Sequence, residues 1–111
     1  MGRRRSLERI LKRGDIWLAE VGAKRRPVLV LTRTAVLDVR ALVTVAEITT
    51  SIRGLSTEVA VNDGIELDQP SVINCDGLHT VTQASLTEHI GHLGSDVMAK
   101  VCAAVSYALG C

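Results

Sequence analysis

The sequence predicts a single mostly-β domain, a small and highly curved sheet or barrel followed by one C-terminal helix. Three observations carry that prediction. Short β-branched runs succeed one another from Ile16 to Leu93 with turn residues between them, which argues against βαβ layers. Only the stretch from Ser95 to Leu109 holds apolar residues clearly at a period of 3.6. A chain of 111 residues is long enough for one core, burying roughly 65% of the surface exposed by its unfolded form.

Taken in order, Ser6 to Arg13 reads as one or two helical turns capped by Ser6 and ended at Gly14, or equally as a loose charged arm. Ile16 to Glu20 is a first strand, residues 22–26 a turn, and Val28 to Thr32 a continuous apolar run of the kind that fills a buried central strand. Ala41 to Ile48 makes a third strand whose end, Thr49-Thr50-Ser51, feeds a turn around Arg53-Gly54. Thr57 to Val61 alternates polar and apolar as a fourth strand, and Asn62-Asp63-Gly64 opens an irregular stretch through Pro70. Ser71 to Asp76 is a fifth strand, Leu78 to Thr82 a sixth, Ala84 to Glu88 a short turn, and Ile90 to Leu93 a last strand. In the helix, Ser95 is the expected N-cap, Asp96 suits the positive end and Gly110 the stop. Val97, Met98, Val101, Cys102, Val105, Ala108 and Leu109 form its apolar face.

An apolar fraction of 47% with 23% charged residues belongs to a globular protein. No apolar run approaches the roughly 20 residues that cross a bilayer, and the basic start lacks the apolar core of a signal peptide. Cys75, Cys102 and Cys111 form no CxxC pair, and the scattered histidines supply no metal-site spacing. Cys75 and Cys102 read as small core residues, and a reducing cytoplasm is the expected compartment. The net charge of +1 conceals an asymmetry: residues 1–53 hold twelve of the thirteen bases against five acids, and residues 54–111 one base against seven acids. Two basic clusters result, Arg3-Arg4-Arg5 with Arg9, Lys12 and Arg13, and then Lys24-Arg25-Arg26. The first reads as a solvated arm, the second as a local field that attracts phosphate.

Signatures of the common enzymes are absent: no P-loop, Rossmann glycine pattern, GxSxG elbow or HExxH helix. With no Phe, one Trp and one Tyr, no base-stacking platform is encoded, and Trp17 reads as a core or interface residue. What remains is polar chemistry at strand ends. Arg26 precedes Pro27 and the buried second strand, and Thr49 and Thr50 end the third. Consecutive antiparallel strands bring the start of one beside the end of the other, so Arg26 is expected near Thr49. A guanidinium fork and a hydroxyl suit a phosphate. Spacing alone nevertheless favours a plainer reading, a solvated turn arginine and threonines that reflect β-propensity.

Five stretches, read together and in order, resemble the MazF/PemK family, the toxins of type II toxin–antitoxin pairs. They are RGDIW (Arg13 to Trp17), RRPVLVL (Arg25 to Leu31), VAEITTSIRGLSTEV (Val45 to Val59), SVINCDGLHTV (Ser71 to Val81) and the closing HIGHLGSDVMAKVCAAVSYALG segment. The resemblance implies an SH3-like small β-barrel of the PemK/CcdB type with a C-terminal α-helix, spanning residues 13–111 and preceded by a basic arm at 1–12. It implies a cytoplasmic homodimer, with no membrane association, that binds RNA across its interface and is blocked by a small cognate antitoxin. The implied activity is sequence-selective cleavage of single-stranded RNA by the ribose 2′-hydroxyl, with no metal and no cofactor. The family's arginine before the proline falls on Arg26, assigned to phosphorane stabilisation and proton transfer, and its strand-three threonine on Thr49, assigned to a non-bridging oxygen. RNA contacts fall on Lys24, Arg25, Thr50, Ser51 and Asp76, the last also reading as a strand-end turn carboxylate.

Three departures qualify the match. The loop at residues 21–25 is shorter than in many relatives and lacks their acidic, glutamine-rich segment. Asn74 stands where some relatives carry a catalytic arginine, and the arm has no family counterpart. His79, His89 and His92 match no catalytic position and are assigned structural or surface roles. A non-enzymatic poison of the gyrase-binding kind, on the same barrel, is the competing reading; its distinctive C-terminal tail does not resemble Leu109-Gly110-Cys111.

Overall fold

The computed structural model describes residues 11–21, 23–61 and 67–111. Among the described residues six strands, β1 (Asp15–Val21), β2 (Lys24–Val30), β3 (Leu42–Thr49), β4 (Glu58–Val61), β5 (Ser71–Thr82) and β6 (Leu86–His92), precede one helix, α1 (Ser95–Leu109). All five strand pairings are antiparallel, in the order β4-β5-β3-β2-β1-β6. The expected small barrel is realised as a curled sheet whose ladder runs in one line, with β4 and β6 as its edges.

Several boundaries move, for identifiable reasons. The sequence places Lys24 to Arg26 in a turn, but Val21 pairs with Lys24, Glu20 with Arg25 and Ala19 with Arg26. The chain therefore reverses between Val21 and Lys24, and the three basic residues become strand. Ser71 to Asp76 and Leu78 to Thr82 are one strand rather than two. Pairing with β3 jumps from Glu47↔Asn74 to Ala46↔Leu78, so Cys75, Asp76 and Gly77 bulge out of the ladder and bend the strand. The Cys75 N–H instead donates to the Thr57 carbonyl at 2.8 Å. The last strand starts earlier than expected, because only Gln83–Ser85, a 3-10 turn, separates it from β5. A second 3-10 turn, Thr34–Val36, lies in the β2–β3 connection. The expected helix at Ser6 to Arg13 falls mostly outside the described residues, but Leu11 is buried and the Lys12 N–H donates to Asp15 Oδ2 at 2.9 Å.

The alternation of side chains divides the buried residues into two clusters. Ile16, Leu29, Ala46, Ile48 and Ile73 lie on the face that receives Leu93, Val101 and Ala104 around the helix. Trp17, Ala19, Val28, Val30, Val43 and Val45 lie on the other, with Leu37 and Leu86 packed among them. Burial of Trp17 agrees with its sequence reading.

Two expectations for the helix are corrected. Gly94, not Ser95, holds the N-cap position and Ser95 begins the helix; Gly110 closes it in the left-handed region at φ 76°, its N–H reaching the Ser106 and Tyr107 carbonyls. The buried stripe is Val101 and Ala104 with Val97, Met98 and Val105, whereas Cys102 and Leu109 are exposed. The helix packs on β4 and β5, which brings Ala104 inward and turns Cys102 toward Arg13, whose Nη2 lies 2.9 Å from its Sγ. Cys75 is a core residue as expected; burial, then Asp76 and Cys102, push its thiol up to about 11, which keeps it protonated and unreactive.

Candidate active site

Arg26 lies opposite Ala19 on β1, and Thr49 opposite Val72 on β5. Between them, the β2–β3 ladder pairs Val30 with Val45 and Val28 with Glu47. The paired residues end there; continued by two residues, the same register sets Arg26 opposite Thr49, and the two share one cleft. Their side chains leave the sheet on the face of Val28 and Glu47, since strand side chains alternate with a period of two. Both residues border an open cleft of about 350 Å³, with Pro27, Ile48 and Thr50 on the same wall. Leu67, Asp68, Gln69 and Ser71 complete its lining.

The Arg26 side chain is half-buried and makes no hydrogen bond or ion pair among the described residues. A partly desolvated guanidinium of this kind attracts an anion more strongly than a fully hydrated one. Thr49 Oγ1 accepts the Ser51 N–H at 3.0 Å, an arrangement that fixes the hydroxyl while leaving its proton to donate. The cleft thus presents a cationic fork and an oriented hydroxyl beside each other, the two donors that a tetrahedral or pentacoordinate phosphate requires.

The turn that follows Thr49 is held by Glu58. Its carboxylate accepts the N–H groups of Arg53 (3.0 Å), Gly54 (2.8 Å) and Leu55 (3.3 Å), and the Arg53 Nε lies 3.6 Å away. Burial alone would raise the Glu58 pKa, but the backbone hydrogen bonds from Arg53, Leu55 and Gly54, with the Arg53 charge, outweigh it and hold the carboxyl below its ordinary value. A carboxyl with a lowered folded-state pKa stabilises the fold above its unfolded-state pKa, and that contribution disappears as the pH falls through the folded value. Glu58→Gln therefore flattens the acid limb of the stability–pH curve, and hydrogen exchange at Gly54 and Leu55 accelerates; denaturation across acidic pH and amide exchange check both.

The other residues expected in RNA contact are placed differently. Thr50 borders the cleft and exposed Ser51 follows it. Lys24 is exposed at the β1–β2 hairpin. Arg25 is turned to the edge strand, 3.4 Å from Thr87 Oγ1 and 3.8 Å from Glu88, because adjacent strand residues point to opposite faces. Asp76 sits at the β5 bulge outside the cleft lining, where its Oδ2 accepts the hydroxyl of buried Thr57 at 2.6 Å. The sequence assigns residues 68–70 only to an irregular stretch and Ser71 to the start of a strand. Their turn composition is visible, but their place beside Thr49 follows from the Thr49↔Val72 pairing, which no local pattern encodes.

A curled antiparallel half-barrel closed by one helix, with an arginine and a threonine hydroxyl at one cleft, defines a small β domain with a candidate anion site. The chain belongs to the PemK-like, MazF-like toxin family of type II toxin–antitoxin systems, whose model matches residues 12–109. Its relatives include "Endoribonuclease MazF3" of Mycobacterium tuberculosis, 50% identical over 70 residues, covering 63% of this chain and 68% of the relative. Among solved structures, the Mycobacterium tuberculosis toxin MazF-mt6 superposes with a TM-score of 0.82 at 41% identity, covering 86% of this chain and 96% of that one. A mycobacterial endoribonuclease in complex with its cognate antitoxin superposes with a TM-score of 0.82 at 27% identity, covering 90% and 95%.

Proposed function

We propose that this protein is the toxin of a toxin–antitoxin pair and an endoribonuclease that cleaves single-stranded RNA at short sequences by attack of the ribose 2′-hydroxyl. The observation that carries this reading is the Arg26 guanidinium, unpartnered among the described residues, beside Thr49 at an open cleft. In that reaction O2′ bonds to phosphorus as the P–O5′ bond breaks, leaving a 2′,3′-cyclic phosphate and a 5′-hydroxyl. The nucleophile comes from the substrate, so the protein's task is to align it and to stabilise the charge of the phosphorane. Arg26 spans two equatorial oxygens, and Thr49 donates to a non-bridging one. Thr50, Ser51 and Lys24 lie along the path of the adjoining backbone. Arg25 and Asp76 have the better-defined protein partners and contribute to RNA binding from outside the cleft.

The cognate partner is a small antitoxin, supported by the relative solved in complex with one. No helix of the described residues is long and apolar enough to cross a membrane, and the site of action proposed is the cytoplasm, where RNA is met, with the protein as a homodimer. The test is digestion of one long single-stranded RNA by the pure protein in excess EDTA. A few recurring cut sites ending in cyclic phosphate are expected; a requirement for divalent metal, or cutting with no sequence preference, overturns the reading.

A further inference from the structure

Arg26 and Thr49 account for the phosphate in the cleft, but not for the sequence preference of the proposed cleavage. That preference needs groups that meet the edge of a base, and single-stranded RNA leaves those edges open to hydrogen bonding. Among the residues that line the cleft, Arg26 is the one cation and Asp68 the one anion. The two do not pair with each other, and the Asp68 side chain makes no hydrogen bond or ion pair among the described residues. Asp68 is exposed, so RNA entering the cleft meets it. At about 350 Å³ the cleft is at the small end of ligand pockets, with room for about one nucleotide.

The segment that carries Asp68 is anchored at both ends. Leu67 packs against the helix-side core, and buried Ser71 pairs with Val61 as β5 begins. Between them Pro70 fixes its own φ and disfavours the helical region at Gln69. The Ser71 hydroxyl donates to the Gln69 carbonyl at 3.0 Å. Val72, the next residue, pairs with Thr49 itself. Asp68 is therefore held at a set offset from the Thr49 hydroxyl, on a backbone with little freedom to swing away.

A carboxylate only accepts hydrogen bonds. It repels the phosphate that Arg26 attracts, so Asp68 faces a donor on the substrate and not its backbone charge. The donors are the ribose hydroxyl and the N–H groups of the bases. That hydroxyl attacks the phosphorus held by Arg26, and a carboxylate close enough to reach it would stand against the guanidinium and pair with it. Asp68 does not, which leaves the base. Adenine, cytosine and guanine each carry an exocyclic amino group that donates. Uracil has a single N–H between two carbonyl oxygens, whose lone pairs a carboxylate repels.

We propose that Asp68 selects the base beside the scissile phosphate, accepting the amino N–H of adenine, cytosine or guanine and rejecting uracil; this rests on the endoribonuclease reading above. The contact breaks no bond and moves no proton.

The test uses a set of single-stranded RNAs that share one mapped cut site and differ only in the base on one side of it or the other. Cleavage by wild type, Asp68→Asn and Asp68→Ala is measured as kcat/KM, with thermal melting of each protein. For wild type, uracil on one side is expected to lower kcat/KM by roughly 10–10²-fold against the best amino-bearing base. Asp68→Asn offers a donor that the uracil carbonyls accept, so that discrimination collapses. Asp68→Ala loses it as well. A wild-type substrate whose preferred base lacks its amino group should be cut more slowly by the same factor. The wild-type preference retained in both variants overturns the proposal, as does wild-type indifference to uracil on both sides. A loss of cutting equal on every RNA, at unchanged melting temperature, also overturns it and gives the carboxylate to the reaction itself. If both variants fail to fold, the RNA without the amino group decides, an unchanged rate counting against Asp68. Wild type that cuts no RNA removes the endoribonuclease reading and this proposal with it.

Discussion

Arg26→Ala lowers RNA cleavage by about 10²–10³-fold and leaves the fold intact. The size follows from what the side chain does and does not do. Half-buried and without a hydrogen bond or ion pair among the described residues, it contributes little to the architecture that its removal would cost. Its proposed work is confined to the transition state, in which two equatorial oxygens of the phosphorane carry more charge than in bound RNA. Loss of an interaction made only there lowers kcat, with KM nearly unchanged. Arg26→Lys keeps the charge but replaces a planar fork by a point donor, and recovers only part of the activity. Thr49→Ala removes a single neutral donor and the acceptor for the Ser51 N–H, so its loss is smaller in kcat and is joined by loosening of residues 50 and 51. Cleavage of one labelled RNA, with thermal melting of each variant, separates these outcomes. Full activity in Arg26→Ala would remove the arginine from the mechanism.

Ile73→Ala destabilises the domain by about 2–5 kcal/mol, which lowers the melting temperature by roughly 10–25 °C for a domain of this size. Ile73 is fully buried at the centre of the helix-side cluster. It pairs with Ile48 on β3 and Val59 on β4, so it joins both strands that flank β5. Truncation leaves a cavity between rigid ladders that cannot close without breaking hydrogen bonds, which puts the expected cost in the upper part of that range. Ile73 is also two strand positions from Ser71 in the cleft wall, so RNA cleavage falls in parallel with stability rather than at fixed stability. Val39→Ala is the control: at 78% exposure it should shift stability by no more than about 0.5 kcal/mol. Equilibrium unfolding of both variants in denaturant gives the comparison.

How much of this was legible in advance differs by element. The buried run Val28 to Val30 announces a central strand because every residue in it is β-branched or Leu and none is polar. The helix is legible because its apolar residues recur at 3.6, yet the assignment of Cys102 to the buried face was wrong. Cys102 and Ala104 are both small and flank Val101 on opposite sides of the helix, and which one is buried depends on the side from which β4 and β5 approach. The split of β5 into two strands had a similar origin. Asp76-Gly77 looks like a turn locally, but the continuous ladder to β3 absorbs it as a bulge. The nearness of Arg26 and Thr49 was legible through the antiparallel order of two consecutive strands, whereas residues 68–71 were not, because they reach the cleft through a pairing distant in sequence.

The sequence by itself determined a curved, mostly-β domain with a single closing helix, and an arginine and a threonine at matching positions of neighbouring strands. Those features depend on local periodicity and on the nearest partner in the chain. Only the tertiary structure decided that Arg25 turns to the β6 edge, that Asp76 is tied to Thr57, and that Glu47 pairs with His79. A strand's face is set by register, and register is set by long-range ladders and bulges. A shift of one residue moves a side chain to the opposite side of the sheet.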